Sequence, residues 1–185
     1  MRDRALSLAG TARSGPRRAD RGGRCGPRGA DRDAEPARGA AEIERVTGRP
    51  ALEPVRAYVG LRSVCSTEQQ VQLAVAELEK DGALARSTIL VVVPTGSGWV
   101  DPAAVAALEY LSAGNLATVA VQYAERPSWL EYVLGRGQAA SSASALLSAL
   151  RQRLDRIPAP HRPQLLVYGE SLGAIGARSA TTLAD

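Results

Sequence analysis

The most informative stretch of the sequence is QLLVYGESLG, which runs from Gln164 to Gly173. Its first half, up to Tyr168, is apolar and β-favouring, and it predicts a short strand. Its second half fits the pattern G-x-S-x-G, and the small residues after it predict a helix. A nucleophilic serine needs this strand–turn–helix context because the sharp turn lifts its side chain clear of the sheet. The stretch therefore predicts Ser171 as a nucleophile.

The residues on either side of Ser171 have predicted roles in the same turn. Gly169 and Gly173 leave space for the turn to pack. The amide of Leu172, at the helix N-terminus, is expected to point at the oxyanion that develops during nucleophilic attack. Glu170 either shapes the pocket or makes structural hydrogen bonds. The competing interpretation is an ordinary β–α turn in which the Gly-Ser pattern arose by chance.

A second oxyanion donor is predicted in the loop PTGSGW (94–99), which follows an apolar, β-branched run. The glycines of this loop allow its backbone N–H groups to turn toward a bound carbonyl. The candidate residues are Thr95, Gly96 and Ser97. The alternative is an ordinary connection into the next helix. A phosphate-binding loop is disfavoured because the Lys-Ser/Thr pair that would hold phosphate and metal is absent.

Strands and helices alternate in the sequence from residue 54 onward. Three earlier strands are predicted at 55–61, 88–93 and 116–123, and each precedes a helix. The predicted buried faces of these helices are Val71, Ala74, Val75 and Leu78 in the first, Ala104, Ala107, Leu108 and Leu111 in the second, and Leu146, Leu147, Leu150 and Leu154 in the third. The order β-α-β-α-β-α-β-α predicts an α/β fold, with about four βα units forming an open parallel sheet.

The first 50 residues differ in composition from the rest of the chain. They hold 12 Arg and 7 acidic residues, a formal charge of +5, whereas residues 51–185 carry −1. They are also rich in Gly and Pro, and such a segment buries too little apolar surface to offset its ordering entropy. We expect a disordered Arg/Gly/Pro-rich tail over 1–50 and one domain over 54–185. Nonspecific RNA binding by the tail is a distant alternative, and no specific nucleic acid is expected, because acidic residues interrupt the tail and no aromatic residue offers a stacking surface.

Other functional classes find little support in the sequence. No cofactor and no metal site are predicted. No apolar run approaches the roughly 18 residues of a membrane span, and the N-terminus lacks a secretory signal. Two cysteines, Cys25 and Cys65, do not make a disulfide framework. The default expectation is a reduced, cytoplasmic chain.

Five motifs occur in the same order as in a known family. They are VRAYVGL (55–61), PTGSGWVDP (94–102), LEYL (108–111), PSWL (127–130) and YGESLG (168–173). Together they resemble the catalytic domain of an actinobacterial α/β-hydrolase family whose members usually carry an N-terminal multi-helix membrane region. The resemblance implies that Ser171 is the nucleophile and that the Thr95 to Trp99 loop lines the oxyanion site. It implies a small-molecule or lipid-like acyl substrate without identifying it.

The remaining members of a catalytic triad are not evident. In α/β-hydrolases the order along the chain is Ser, then Asp or Glu, then His, but none of the 14 residues after Ser171 is His. His161 is the only histidine, and it precedes the strand that leads into Ser171. A five-residue strand would place it about 17 Å from the serine. Asp155 leads to the same far end and Asp185 is terminal, so neither is a convincing orienting acid.

Two functional hypotheses follow from these residues. The first is the N-terminal part of a serine α/β-hydrolase that cleaves an ester or related acyl bond through an acyl-enzyme at Ser171. Its acid and base would come from a missing C-terminal portion, so we expect the isolated chain to be inactive. The second is a truncated, non-catalytic remnant or interaction module. In both cases the unfinished sheet leaves an open edge, which predicts low stability unless another chain completes it.

Overall fold

The computed structural model describes residues 38–61, 63–95, 98–124 and 136–182. The strands in these ranges are β1 (Val55–Val59), β2 (Thr88–Val93), β3 (Leu116–Val121) and β4 (Gln164–Gly169). The α-helices are α1 (Ala40–Thr47), α2 (Thr67–Lys80), α3 (Pro102–Leu111), α4 (Arg136–Leu154) and α5 (Leu172–Thr182). Short 3₁₀ turns at Ala83–Ala85 and Ala159–His161 lead into β2 and β4.

The four strands form one parallel sheet in the order β1-β3-β2-β4. Val91 of β2 lies opposite Val119 of β3 on one side and opposite Val167 of β4 on the other. Because every neighbour is parallel, the chain returns across the sheet between strands, and helices lie along these return paths. The predicted α/β class, with four strands alternating with helices, is confirmed.

The core consists of two apolar layers, one on each face of the sheet. Strand β2 contributes to both, because Ile89 and Val91 pack into the layer beneath α2, α4 and α5, whereas Leu90 and Val92 pack into the layer beneath α3. Burial on both faces explains why this strand has no polar alternation in the sequence. The predicted buried faces of α2 and α4 are confirmed, since all their predicted residues are buried.

The predicted buried face of α3 is wrong. Leu111 is 73% exposed, and the buried residues of this helix are Val105, Ala106 and Glu109. The carboxylate of Glu109 accepts a hydrogen bond from Nε of Arg56 in β1 at 2.6 Å, and both side chains are buried. A glutamate marks a helix face as polar in a hydropathy pattern, but its pairing with a buried arginine reverses that assignment.

Part of the segment predicted to be a disordered tail is ordered. Helix α1 lies within 1–50, and its Ile43 is fully buried. Tyr110 of α3 donates to the Glu42 carboxylate at 3.1 Å, and Arg49 donates to the carbonyl of Tyr110 at 3.2 Å. The tail prediction is therefore wrong for residues 40–47, because composition averaged over 50 residues hides one short helix that packs through a single isoleucine. Residues 1–37 lie outside the described ranges.

Two further expectations concern the location and redox state of the chain. Among the helices of the described ranges, none combines the length and apolar character that crossing a membrane requires. Cys65 is disulfide-bonded, which differs from the reduced state expected from the cysteine count.

Candidate active site

The candidate nucleophile occupies an unusual backbone position. Ser171 lies between the end of β4 and the start of α5, and its φ is +55°. In the described ranges, Ala113 is the other non-glycine residue with a positive φ. This conformation costs about 1–3 kcal/mol for a residue with a Cβ, and such strain is concentrated at functional sites. The turn leaves the Ser171 side chain exposed beyond the end of the sheet.

Two glycines permit this turn. A Cβ at Gly169 would overlap the carbonyl oxygen of Gly173, and a Cβ at Gly173 would overlap the carbonyl oxygen of Val93 at the end of β2. Neither obstacle is a flexible side chain, so relief would require moving the main chain. The pattern G-x-S-x-G is thus demanded by the packing of α5 against the ends of β4 and β2.

The start of α5 places backbone N–H groups next to Ser171. Gly173 N–H donates to the carbonyl of Glu170 at 2.9 Å, and Ala174 N–H donates to the carbonyl of Ser171 at 3.1 Å. Leu172 is the first helical residue, and the first N–H groups of a helix have no carbonyl of a preceding turn to bind. Its side chain is buried in the core, which fixes the position of its amide. The Leu172 amide therefore lies next to Ser171 at the start of α5, where helical N–H groups lack an intrahelical acceptor.

The loop predicted to provide the second donor closes on itself. Thr95 N–H donates to the carbonyl of Trp99 at 2.9 Å, and Gly98 N–H donates back to the carbonyl of Thr95 at 2.8 Å. The Thr95 hydroxyl accepts from Trp99 N–H at 3.2 Å. The Thr95 amide is consequently engaged within the loop in this conformation. Gly96 and Ser97, the other two predicted donors, lie outside the described residues.

A polar network that was not predicted from the sequence holds the far side of this loop. The Tyr58 hydroxyl donates to the carbonyl of Gly98 at 3.0 Å. Gly98 has a φ of +87°, and a Cβ there would lie 2.8 Å from the Tyr58 hydroxyl and 2.8 Å from Nε2 of Gln122. Gln70 donates from the buried face of α2 to the carbonyls of Gly60 and Gln122, each at 3.1 Å. An available signal was the glutamine beside the apolar positions of α2, since buried amides need hydrogen-bond partners.

The loop and the turn at Ser171 meet at the carboxyl ends of the strands. A Cβ at Gly173 would also approach the carbonyl oxygen of Pro94 to 2.8 Å, so the first turn of α5 touches the beginning of the loop. Parallel α/β sheets bind ligands at this edge. A cavity of about 350 Å³ lies elsewhere, between α4, α5 and the side of β4, and its lining includes Arg162 and Pro163 at the opposite end of β4.

Two carboxylates, those of Glu170 and Asp101, lie near the Tyr168 side chain at the end of β4. Burial raises the pKa of Tyr168, and the charges of Glu170 and Asp101 raise it further. Tyr168 therefore stays neutral at physiological pH. Asp101 itself caps α3 by accepting from Ala103 N–H at 2.9 Å, and Glu170 is exposed.

The candidate base and acid lie at the other end of β4. His161 ends the 3₁₀ turn before this strand and is exposed, whereas Ser171 follows the strand. Asp155 forms an ion pair with Arg162 at 3.2 Å on the His161 side. This arrangement agrees with the expected separation of His161 from Ser171 within one chain. Asp185 lies outside the described residues, and no cluster of three metal-ligating side chains occurs in the part of the chain that the structure describes.

Comparison with known proteins agrees with this geometry. Residues 55–185 match the model of an alpha/beta-hydrolase family, and this range covers more than two thirds of the chain. No curated protein and no solved structure matches. The matched range contains all four strands, the Thr95 loop and the turn at Ser171. On the strength of this match and of the parallel sheet that carries the turn, the chain belongs to the alpha/beta-hydrolase family.

Proposed function

We propose that this protein is a serine hydrolase that cleaves an ester or related acyl bond through an acyl-enzyme at Ser171. The observation that carries the proposal is the positive φ of Ser171 between β4 and α5, with glycines at the two positions where a Cβ would overlap main chain. An ordinary β–α connection has no need of a strained serine. In a nucleophilic serine the same strain exposes Oγ at the ligand-binding edge of the sheet.

The proposed reaction has two stages. Ser171 Oγ attacks the substrate carbonyl carbon while its proton passes to a base, and the negative charge that forms on the carbonyl oxygen faces the amide of Leu172. Collapse of this intermediate expels the leaving group, which takes the proton from the base, and leaves an ester on Oγ. Water then attacks that ester by the same route and releases the acid. A second donor would come from the loop that begins at Thr95.

The substrate is expected to be a small-molecule or lipid-like acyl compound, as the resemblance of the five sequence motifs implies, and the exposed Ser171 is accessible to such a molecule. No metal ion or cofactor takes part in the proposed reaction. The actinobacterial origin and the cytoplasmic location remain predictions from the sequence alone.

A fluorophosphonate probe tests this proposal without a choice of substrate. The probe forms a P–O bond with an activated serine and releases fluoride, so labelling reports nucleophilicity directly. Because the acid and base of a triad are not evident in this chain, little or no labelling of the purified chain is expected, and labelling should appear in the wild type but not in Ser171→Ala when a further portion of the domain that carries them is added. Circular dichroism of both proteins establishes that they are equally folded. A folded wild-type chain that stays unlabelled in the presence of such a portion would refute a nucleophilic role of Ser171.

A non-catalytic interaction module is the second candidate. It is favoured by the position of His161 and Asp155 at the opposite end of β4 from Ser171. Such a module would not react with the probe even when a further portion of the domain is added.

A further inference from the structure

Two buried polar atoms on the α3 side of the sheet have no hydrogen-bond partner among the described residues. They are Oε2 of Glu109 in α3 and Oγ1 of Thr118 in β3. Neither residue has any exposed surface. Most buried polar groups in folded proteins are hydrogen-bonded, because a group that leaves water without a new partner destabilises the fold. The two atoms therefore indicate a further hydrogen-bonding group at this place in the core.

The two atoms lie on either side of Arg56 in β1. Nε of Arg56 donates to Oε1 of Glu109 at 2.6 Å, so Oε2 of the same carboxylate lies beside the guanidinium. Arg56 is also the register partner of Thr118, on strands that run about 4.8 Å apart. Both side chains point toward α3, because the residues before and after each of them in its strand pack into the layer on the other face. Glu109 Oε2 and Thr118 Oγ1 are consequently close to each other.

We propose that this place is a binding site for one buried water molecule, held by Glu109, Thr118 and Arg56. The water donates to Oε2 of Glu109 and shares a second hydrogen bond with the Thr118 hydroxyl, which can donate or accept. Arg56 uses Nε for Glu109 and Nη2 for the carbonyl of Arg38 at 2.7 Å. A guanidinium has five N–H groups, so a further one can donate to the water. Buried waters make about three hydrogen bonds, which this site offers.

The chemistry of the site selects water over an ion. Arg56 and Glu109 carry opposite charges and form a neutral pair, so an added cation would face the guanidinium and an added anion would face the carboxylate. The three side chains are at most 7% exposed, which restricts the ligand to a very small molecule. The two free oxygens comprise an acceptor and a hydroxyl, and a neutral ligand with both donors and acceptors satisfies them together.

The water gives the buried ion pair the partners that it needs. A buried pair stabilises a fold only when the remaining lone pairs and protons of its members are also hydrogen-bonded. The pair already connects β1 with α3 and, through the Arg38 carbonyl, with the segment that precedes α1. The water extends this connection to Thr118 and therefore to β3. This inference concerns the core and does not rest on the proposed function.

Counting long-lived water molecules tests the site directly. Oxygen-17 relaxation dispersion of the full chain detects waters that stay bound for longer than the protein takes to tumble. The double variant R56M/E109L removes two of the three partners and should hold one such water fewer than the wild type. Equal counts in the two folded proteins would overturn the proposal. If the double variant does not fold, a crystal structure of the wild type decides: a water about 2.8 Å from both free oxygens is expected, and its absence would refute the site.

The Thr118 hydroxyl provides a second test, through stability. Thr118→Val keeps the shape of the side chain and removes one partner of the water, so the equilibrium constant for unfolding should rise about five- to tenfold. In the R56M/E109L background the same substitution should change it less than about twofold, because no water is held there. An equal effect in both backgrounds, or no effect in the wild type, would assign Thr118 a different role and contradict the proposal. A direct bond between Thr118 and Glu109 is distinguished by an unchanged water count.

Discussion

The two edge strands of the sheet, β1 and β4, differ in how their side chains are covered. In β1 the layer beneath α2 buries Val55, Ala57 and Val59, and on the other face Arg56 reaches Glu109 of α3 and the carbonyl of Arg38. In β4 the corresponding side chains are half-exposed on both faces. The segment that precedes β1 contributes to this cover and the described residues contain no equivalent beside β4. Edge position alone therefore does not determine how exposed a strand is. Exposure also depends on whether other segments of the same chain cover its side chains.

The largest expected effect comes from breaking the buried pair that anchors β1. Glu109→Leu leaves the charge of Arg56 without its carboxylate in a buried site, which should reduce the free energy of unfolding by about 3–5 kcal/mol. Chemical denaturation measures this loss. The double variant R56M/E109L, which replaces both charges with apolar side chains of similar size, should recover most of it. No recovery in the double variant would mean that shape and not charge is the critical property.

Removal of the isoleucine that attaches α1 should have the next largest effect. Ile43→Ala deletes a fully buried side chain and should lower the free energy of unfolding by about 2–4 kcal/mol. Val46→Ala in the same helix is the matched control, because Val46 is exposed and its loss should be close to neutral. Equal effects of the two substitutions would contradict the packing of α1 against the domain.

A matched pair of leucines compares the edge with the centre of the sheet. Leu90 of β2 and Leu166 of β4 are partners in the register and share a face, but Leu90 is 1% exposed and Leu166 is half-buried. Leu90→Ala should cost about 2–4 kcal/mol and Leu166→Ala less than about 1.5 kcal/mol. Denaturation curves of the two variants at equal, dilute concentration make the comparison. A cost at Leu166 equal to that at Leu90 would show that β4 is covered.

A tyrosine on each edge strand faces the α3 side of the sheet, and their hydroxyl groups differ in role. Tyr58→Phe removes the donor to the Gly98 carbonyl and should cost about 1 kcal/mol. It should also increase hydrogen exchange in the loop that begins at Thr95. Tyr168→Phe is the matched control on β4 and should leave exchange in that loop unchanged. Faster exchange in both variants would indicate that the aromatic packing, and not the hydrogen bond, holds the loop.

The smallest expected effect is confined to alkaline pH. The pKa of Tyr168 is raised in the folded protein by burial and by the charges of Glu170 and Asp101. Because the unfolded chain loses this proton first, stability should be constant below the ordinary tyrosine pKa of about 10 and should decline as the pH rises through the higher folded value. Unfolding of the wild type and of Tyr168→Phe across this range measures the difference. A decline of the same slope in the variant would assign it to another group.

The sequence was most informative where local chemistry alone determines structure. Continuous β-branched runs such as Ile89 to Val93 can satisfy their burial only between two layers, and the pattern G-x-S-x-G directly after a strand indicates a sharp turn into a helix. Helix α1 and the buried face of α3 were not predictable in this way. Glu109 pairs with a residue 53 positions away, and α1 meets α3 through Glu42 and Tyr110, which are 68 positions apart, so a pattern read within one element does not contain these partners.

The candidate site likewise combines features that the local sequence determines with features that depend on distant parts of the chain. Ser171 and its glycines are evident in the sequence because they form a five-residue pattern directly after a strand, although the approach of Gly173 to Val93 and Pro94 depends on the fold. The support of the loop by Tyr58, Gln70 and Gln122 depends on strand order, since β1 and β3 must lie side by side for these residues to meet. Strand order is set by packing of the whole sheet and is not encoded in any single segment.

The strand order also sets a sequence of events during synthesis. When the residues of β3 have left the ribosome, β1, β3 and β2 can already pair as three adjacent strands, because β4 occupies only the outer position next to β2. Domains fold as the nascent chain emerges, so a three-stranded intermediate can form before Gln164 is translated. The strained turn at Ser171 would then form last, when β4 pairs with the existing sheet of β1, β3 and β2. Translation pauses placed after β3 should consequently leave a protease-resistant nascent intermediate that lacks the nucleophile.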